Sequence, residues 1–382
     1  MNHIERVSLF SAQTRTDTNF RSYAEPRYAF LDRAAGAPWQ RIRETLDSWF
    51  ARLPVAAQRE IRVRFSSDDD LHHLGAFWEL WVHEAHRRLG WNVTVHVGTE
   101  PGERRQDFEV ERDGERFWIE ATVVAGDSLV KRPDQKRHAQ LCDLINTVRA
   151  PGHFVGLEVL SHGPKTPRRK QVVGPIERWL GESAPAPTLC LEFDGWKIKL
   201  KAITANRPHG EDHRVLGIQT QGTGRADDLS PLRRKIRNKA GRYGETDRPY
   251  LLAILALGDT VDDIDIGDAL LGTSAVVLDP HSDNIREIRK RDGAWFGPRG
   301  PQNTRLSGVL IARGLVPHGI ATTLPILLRN PWAAHPLDDD FPWHTIRWND
   351  AGDPQISAAR IDASALFDFP DGWPEAAGGS DG

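Results

Sequence analysis

Asp107 and Glu120 stand on two runs, RRQDFEVER and ERFWIEATVV, that meet at Asp113-Gly114. This dipeptide favours the two-residue turn that closes a β-hairpin. With Arg112 opposite Glu115, Glu111 faces Arg116, Val110 faces Phe117, Phe108 faces Ile119, and Asp107 faces Glu120. Opposite charges then meet near the turn and apolar residues meet further in, each pair contributing roughly 0.2–1 kcal/mol relative to two alanines. A slip of one residue would lose these pairs. The register predicts two carboxylates side by side, Cβ atoms about 5 Å apart, on the face opposite Phe108, Val110, Phe117, Ile119 and Ala121. Acids held that close need a cation or a proton. Mg²⁺ takes octahedral oxygen coordination from one or two protein carboxylates, waters and substrate phosphate, so such a pair suits it.

Other elements must position the pair. Asp68 to Asp70 can cap a helix over Leu71 to Leu89, with an apolar seam through Leu74, Phe77, Trp78, Trp81, Ala85 and Leu89 and Gly90 closing it. Asn92 to Val97 alternates like a strand, the hairpin follows, then a helix from about Asp134 to Arg149 and the apolar strand HFVGLEVL. This alternation predicts an α/β sandwich with a mixed central sheet. Upstream, residues 1–36 read as polar and irregular, and Trp39, Ile42, Leu46 and Phe50 mark an accessory helix. Downstream come a basic helix around Arg168 to Leu180, a Pro/Ala stretch suggesting a linker near 184, and the strands of LCLEFDGWKIKLKAIT. A helix over Leu229 to Tyr243 leads into PYLLAILAL, a run that fits a strand buried on both faces. A short helix over 262–272 and strands at Leu306 to Ala312 and Ile320 to Leu328 complete the pattern. The expected organisation is an extension over 1–65, a core over 66–183, an α/β region over 184–365 that extends the same sheet, and a disordered tail over 366–382.

A helix bearing FWE with a glycine 11 residues later, a strand, an Asp-bearing strand, a turn, and a strand ending Glu-x-Thr together resemble the PD-(D/E)xK, or restriction-endonuclease-like, nuclease superfamily over residues 71–160. The resemblance implies an αβββαβ core in which Glu79, Asp107 and Glu120 bind Mg²⁺ or Mn²⁺, with the Ala121 carbonyl a further candidate ligand and Glu84 the alternative to Glu79. The metal would activate water against a DNA phosphodiester. Gln106 replaces the family's proline. Thr122 replaces its lysine, and a hydroxyl cannot supply the positive charge that orients the nucleophile. Some relatives supply that lysine from the following helix, which puts Lys131 or Lys136 forward, with Gln135 and Gln140 as polar companions. The runner-up is a catalytically silent nuclease fold serving as a DNA-binding or assembly module. The segments KAGRYG, RPYLLAILAL and WFGPRGPQNTRLSGVLIARGL resemble uncharacterised bacterial proteins with this core and suggest no chemistry of their own.

Arg168, Arg169 and Lys170 form one basic cluster, and Arg234, Lys235 and Lys239 belong to another; either could neutralise phosphates, and either could equally be a solvated helix face. His83 and His86 share a helix face with Glu79, yet the His-Glu-x-x-His pattern is absent, so His72, His83 and His86 read as surface histidines. No P-loop and no Gly-x-Ser-x-Gly elbow occurs, which removes the usual signatures of nucleotide hydrolysis and acyl transfer. The 382 residues carry a formal charge of −3, with 39% hydrophobic and 27% charged residues, so DNA contact must come from local patches. Two cysteines, Cys142 and Cys190, argue against a disulfide framework. No signal pattern and no long apolar run points to a cytoplasmic protein without membrane contact, in which an oligomer is open.

Overall fold

The computed structural model describes residues 8–96, 106–125, 132–150, 152–182, 186–204, 214–221, 229–244, 246–257, 262–278, 285–337, 341–349 and 353–374. The chain forms two compact units, one comprising Met1–Asn19, Pro26–Gly126 and Asp227–Gly382, the other Phe20–Glu25 and Asp127–Ala226. The expected boundaries at 66, 183 and 365 are not the observed ones. The expected linker near 184 falls at 183–185, outside the described residues.

The first unit begins with helices α1 (Arg27–Arg33), α2 (Ala37–Phe50), α3 (Val55–Phe65) and α4 (Asp70–Arg88). Asp69 caps α4 by accepting the Leu71 N–H at 2.9 Å, and Gly90 ends it at φ +86°. Strands β1 (Asn92–Val95), β2 (Phe108–Arg112) and β3 (Glu115–Val124) are antiparallel neighbours. The hairpin register is the expected one for five pairs, from Arg112 with Glu115 to Phe108 with Ile119. Its turn has φ +52° at Asp113 and +88° at Gly114, the backbone that the Asp-Gly pair accommodates.

In the second unit, α5 (Arg132–Asn146), β4 (His153–Ser161), α6 (Arg169–Leu180) and strands β5 (Thr188–Phe193), β6 (Trp196–Thr204) and β7 (Leu216–Gln221) form a four-stranded sheet in the order β5-β6-β4-β7 with two helices. Leu141, Val155, Leu157, Val172, Ile176 and Leu200 belong to its core. The segment HFVGLEVL is therefore β4 of this separate sheet and not the last strand of the expected αβββαβ arrangement.

The chain returns to the first unit at α7 (Leu229–Ala240) and β8 (Tyr250–Ala256), which pairs parallel to β3 with Glu120 opposite Leu252 and Thr122 opposite Ile254. Next come α8 (Asp263–Leu271), the hairpin β9 (Ser274–Leu278) with β10 (Ile285–Arg289), the short β11 (Phe296–Gly297) with β12 (Gly300–Pro301), β13 (Gly308–Arg313), β14 (Ile326–Arg329), β15 (His344–Trp348), β16 (Pro354–Ser357) and α9 (Ala363–Phe367). The eight-stranded sheet is mixed and runs β1-β2-β3-β8-β13-β14-β15-β16. On one face Phe117, Ile119, Leu251 and Ala253 pack with Phe77, Trp78 and Trp81 of α4, and the Trp78 indole N–H donates to the Ala253 carbonyl at 3.1 Å. On the other, Leu252, Ile254 and Val309 pack with Leu232 and Ile236 of α7. Burial on both faces explains why β8 reads as a continuous apolar run.

The segment expected as a disordered tail starts inside α9, with Phe367 and Phe369 buried; 375–382 lie outside the described residues. No helix among the described residues is long and apolar enough to cross a membrane.

Candidate active site

Where the β2–β3 ladder stops, the Asp107 carboxylate accepts the Ala121 N–H at 2.7 Å. The acid thus takes over a backbone donor one residue beyond its expected partner, which satisfies an N–H that the ended strand leaves without a ladder partner. The Asp107 carbonyl accepts the His96 N–H at 2.9 Å, tying the position to the end of β1. Burial, then the charges of Glu120 and Glu79, pushes the Asp107 carboxyl up to about 8.

Glu120, 1% exposed, points to the α7 face because strand side chains alternate and Ile119 and Ala121 belong to the α4 side. Lys239 donates to its Oε1, Arg242 reaches the same oxygen at 3.2 Å, and the Tyr243 hydroxyl donates to Oε2. Burial, followed by the bond to Glu120, raises the Tyr243 phenol above its ordinary value, so it remains a donor. Among the described residues, KAGRYG therefore supplies the three side-chain partners of Glu120. Thr122 stands two residues on along β3, partly buried.

Glu79 on α4 is gripped by Arg64 of α3 through two parallel bonds of 2.5 and 2.6 Å. Burial, against the pull of Arg64 and with the help of Glu60 and Glu120, holds the Glu79 carboxyl above its ordinary value. Both its oxygens are committed to a guanidinium, so the expected three-carboxylate metal set does not close. No three His, Cys, Asp or Glu side chains among the described residues converge as a metal-binding group. Glu84 is not a substitute: it is fully buried and bound by Arg52, Arg87 and Arg88.

The histidines expected at the surface are instead partly core. His83 and His86 are buried, and burial pushes both imidazoles down to about 4, while His72 is exposed. Lys136 lies on α5 of the second unit and is exposed, and Lys131 lies outside the described residues. The helix that follows β3 within its own sheet is α7, so the helical lysine against Glu120 is Lys239. Arg168, Arg169 and Lys170 are exposed at the start of α6 in the second unit. Arg234 is exposed on α7, and Lys235 is partly buried.

Compared with known proteins, the chain matches no family model, no curated protein and no solved structure. The missed members, Arg64 and Tyr243, carry weak signals: α3 has Ala57, Ile61 and Phe65 as its buried seam, and Tyr243 has no visible partner in the sequence, while Arg242 belongs to the same basic run as Lys239.

The donors present fit a hard divalent cation in part. Asp107 and Glu120 offer oxygen only, but Glu120 Oε1 is held by Lys239 and Arg242 and Oε2 by Tyr243, so a cation at this pair would have to displace those donors. Glu79 does not fit as a third ligand while Arg64 holds both its oxygens.

Proposed function

We propose that the first unit is a metal-dependent, nuclease-like hydrolase of DNA phosphodiesters, with Asp107 and Glu120 as its acids and α7 as the source of its positive charge. The observation that carries this reading is the placement of Asp107, just before β2 and bonded to the N–H of Ala121, next in sequence to Glu120 on β3; Lys239 of α7 and Arg242 just beyond that helix both meet Glu120. The order α4-β1-β2-β3, an interposed unit, and α7-β8 supports the expected αβββαβ frame, with Leu229–Ala256 taking the place expected of 134–160.

Asp107 and Glu120 would hold Mg²⁺ or Mn²⁺, which when bound supplies a Lewis acid that activates water and offsets charge on the phosphate and leaving oxygen. The chain's own groups have distinct tasks. Ala121 orients the Asp107 carboxylate, Tyr243 fixes one Glu120 oxygen, and Lys239 and Arg242 hold the other. Free Cys142 and Cys190 suit a reducing cytoplasm.

A second reading has its own support. Glu120 is already neutralised by Lys239 and Arg242, and Glu79 by Arg64, so the same fold could bind DNA without cutting it. Incubating plasmid and single-stranded DNA with Mg²⁺ or Mn²⁺ separates the two. Metal-dependent cleavage lost in both Asp107→Ala and Glu120→Ala supports the enzyme, whereas binding without cleavage supports the module. If calorimetry finds neither divalent-metal binding nor DNA binding, both readings fail.

A further inference from the structure

The basic residues of α7 divide by flank. Arg233 bonds to Asp292, the Asp268 carbonyl and Thr273, and Arg237 reaches the Asp292 and Gly293 carbonyls, so these two are committed to the end of α8 and the loop after β10. Leu232, Ile236 and Ala240 face the core. On the opposite flank lie Lys235 and Lys239, at i and i+4; Lys239 meets Glu120, as does Arg242 just beyond the helix end. Lys235 is different. Among the described residues no carboxylate or hydrogen-bond acceptor engages it, although it is partly buried. Burial, then the charge of Lys239, depresses its ammonium below the ordinary lysine range.

Its place follows from topology. α7 leads into β8, which is parallel to β3, so α7 runs opposite to β3. One helical turn towards the N-terminus of α7, about 6 Å, matches two residues along β3, about 6.8 Å. If Lys239 stands at Glu120, Lys235 stands alongside Thr122. An unpaired, half-buried ammonium beside a second cation is unfavourable alone and becomes favourable when an anion lies between or above them.

We propose that Lys235 is the phosphate-binding ammonium of this site, taking a DNA backbone phosphate beside Thr122 while Lys239 stays committed to Glu120. The assignment rests on the nuclease-like reading for the identity of the phosphate. The test therefore measures binding without metal or cleavage. Fluorescence anisotropy of a labelled single-stranded DNA, in EDTA over a salt series, is compared for the full chain and its variants. Lys235→Met should weaken binding about tenfold or more at low salt and flatten the slope of log affinity against log salt by about 1. Lys235→Arg should restore both, and Arg234→Gln, an equal charge loss on the exposed flank, should change affinity far less. The melting temperature of Lys235→Met should equal or exceed that of the native sequence, which excludes misfolding as the cause. Native affinity and slope in Lys235→Met, an equal loss in Arg234→Gln, or no DNA binding by the native protein would overturn the assignment. A protein that binds in the expected pattern yet never cuts supports Lys235 and sinks the nuclease.

Discussion

Asp107 is the residue with the most at stake, because its folded environment favours the protonated acid while its assigned task needs the anion. Its carboxyl is raised from the ordinary 3.8 to about 8, so between these values the folded chain holds a proton that the unfolded chain has released. Stability must then fall as pH rises through that window. Replacing the acid removes the penalty, and an Asn side-chain oxygen can still accept the Ala121 N–H. Asp107→Asn is expected to raise the melting temperature at pH 8 to 9, by an amount equivalent to about 1–3 kcal/mol, with no gain at pH 3, below both values. Mg²⁺ should stabilise the native sequence at pH 8 and not the variant. Thermal denaturation at the two pH values, with and without metal, checks both; an equal shift at each pH would show that Asp107 is not the titrating group.

At the scale of the element, α4 is fixed by its apolar seam and by Glu84, a fully buried carboxylate that binds Arg52 beyond the end of α2 and Arg87 and Arg88 on its own helix. Burial alone would raise this acid, but the hydrogen bonds from Arg87 and Arg88 and the charge of Arg52 hold it below its ordinary value. Its contribution is present above the ordinary carboxylate range and lost as pH falls through the depressed value. Glu84→Gln should cost about 2–3 kcal/mol at pH 7 by urea denaturation, somewhat under the range for a fully buried pair because Arg52 and Arg87 are part-exposed, and less at pH 3. A cost that did not depend on pH would point to packing and not to charge. The local elements were legible in the sequence for a related reason. Turn chemistry and adjacent pairs set the β2–β3 hairpin, and a seam of large apolar residues sets α4. The contacts that complete the site were not legible. Glu120 and Lys239 are 119 positions apart, and nothing in a one-dimensional pattern tells β3 to pair with β8 across an interposed unit. Choosing the nearest downstream helix put Lys136 forward, and topology replaced it with α7.

At the scale of the whole molecule, the interposed unit carries its own sheet and its own apolar core, and both cores of the eight-stranded sheet are built from residues of the first unit alone. Cores that share no buried side chain should fold separately. The segment Phe20–Glu25 is the exception to a clean excision, since the Tyr23 and Ala24 N–H groups donate to Asp143 at 2.6 and 2.9 Å and Arg214 lies over the Tyr23 ring. Replacing 127–226 by a flexible Gly/Ser linker should therefore leave a first unit that unfolds cooperatively, keeps Asp107, Glu120 and Lys239 together, and retains the Mg²⁺-dependent rise in melting temperature at pH 8. The excised 127–226, produced alone, should be folded but less stable than when residues 20–25 are added back as a peptide, because Asp143 and Arg214 lose partners. Circular dichroism melts of both pieces, with and without the peptide, decide the matter. If the first unit fails to fold without 127–226, the two cores depend on each other and the interposed segment is part of the scaffold for the acids. If it folds and still responds to Mg²⁺, the site belongs to the eight-stranded sheet alone, and the interposed unit is free to have diverged in what it binds.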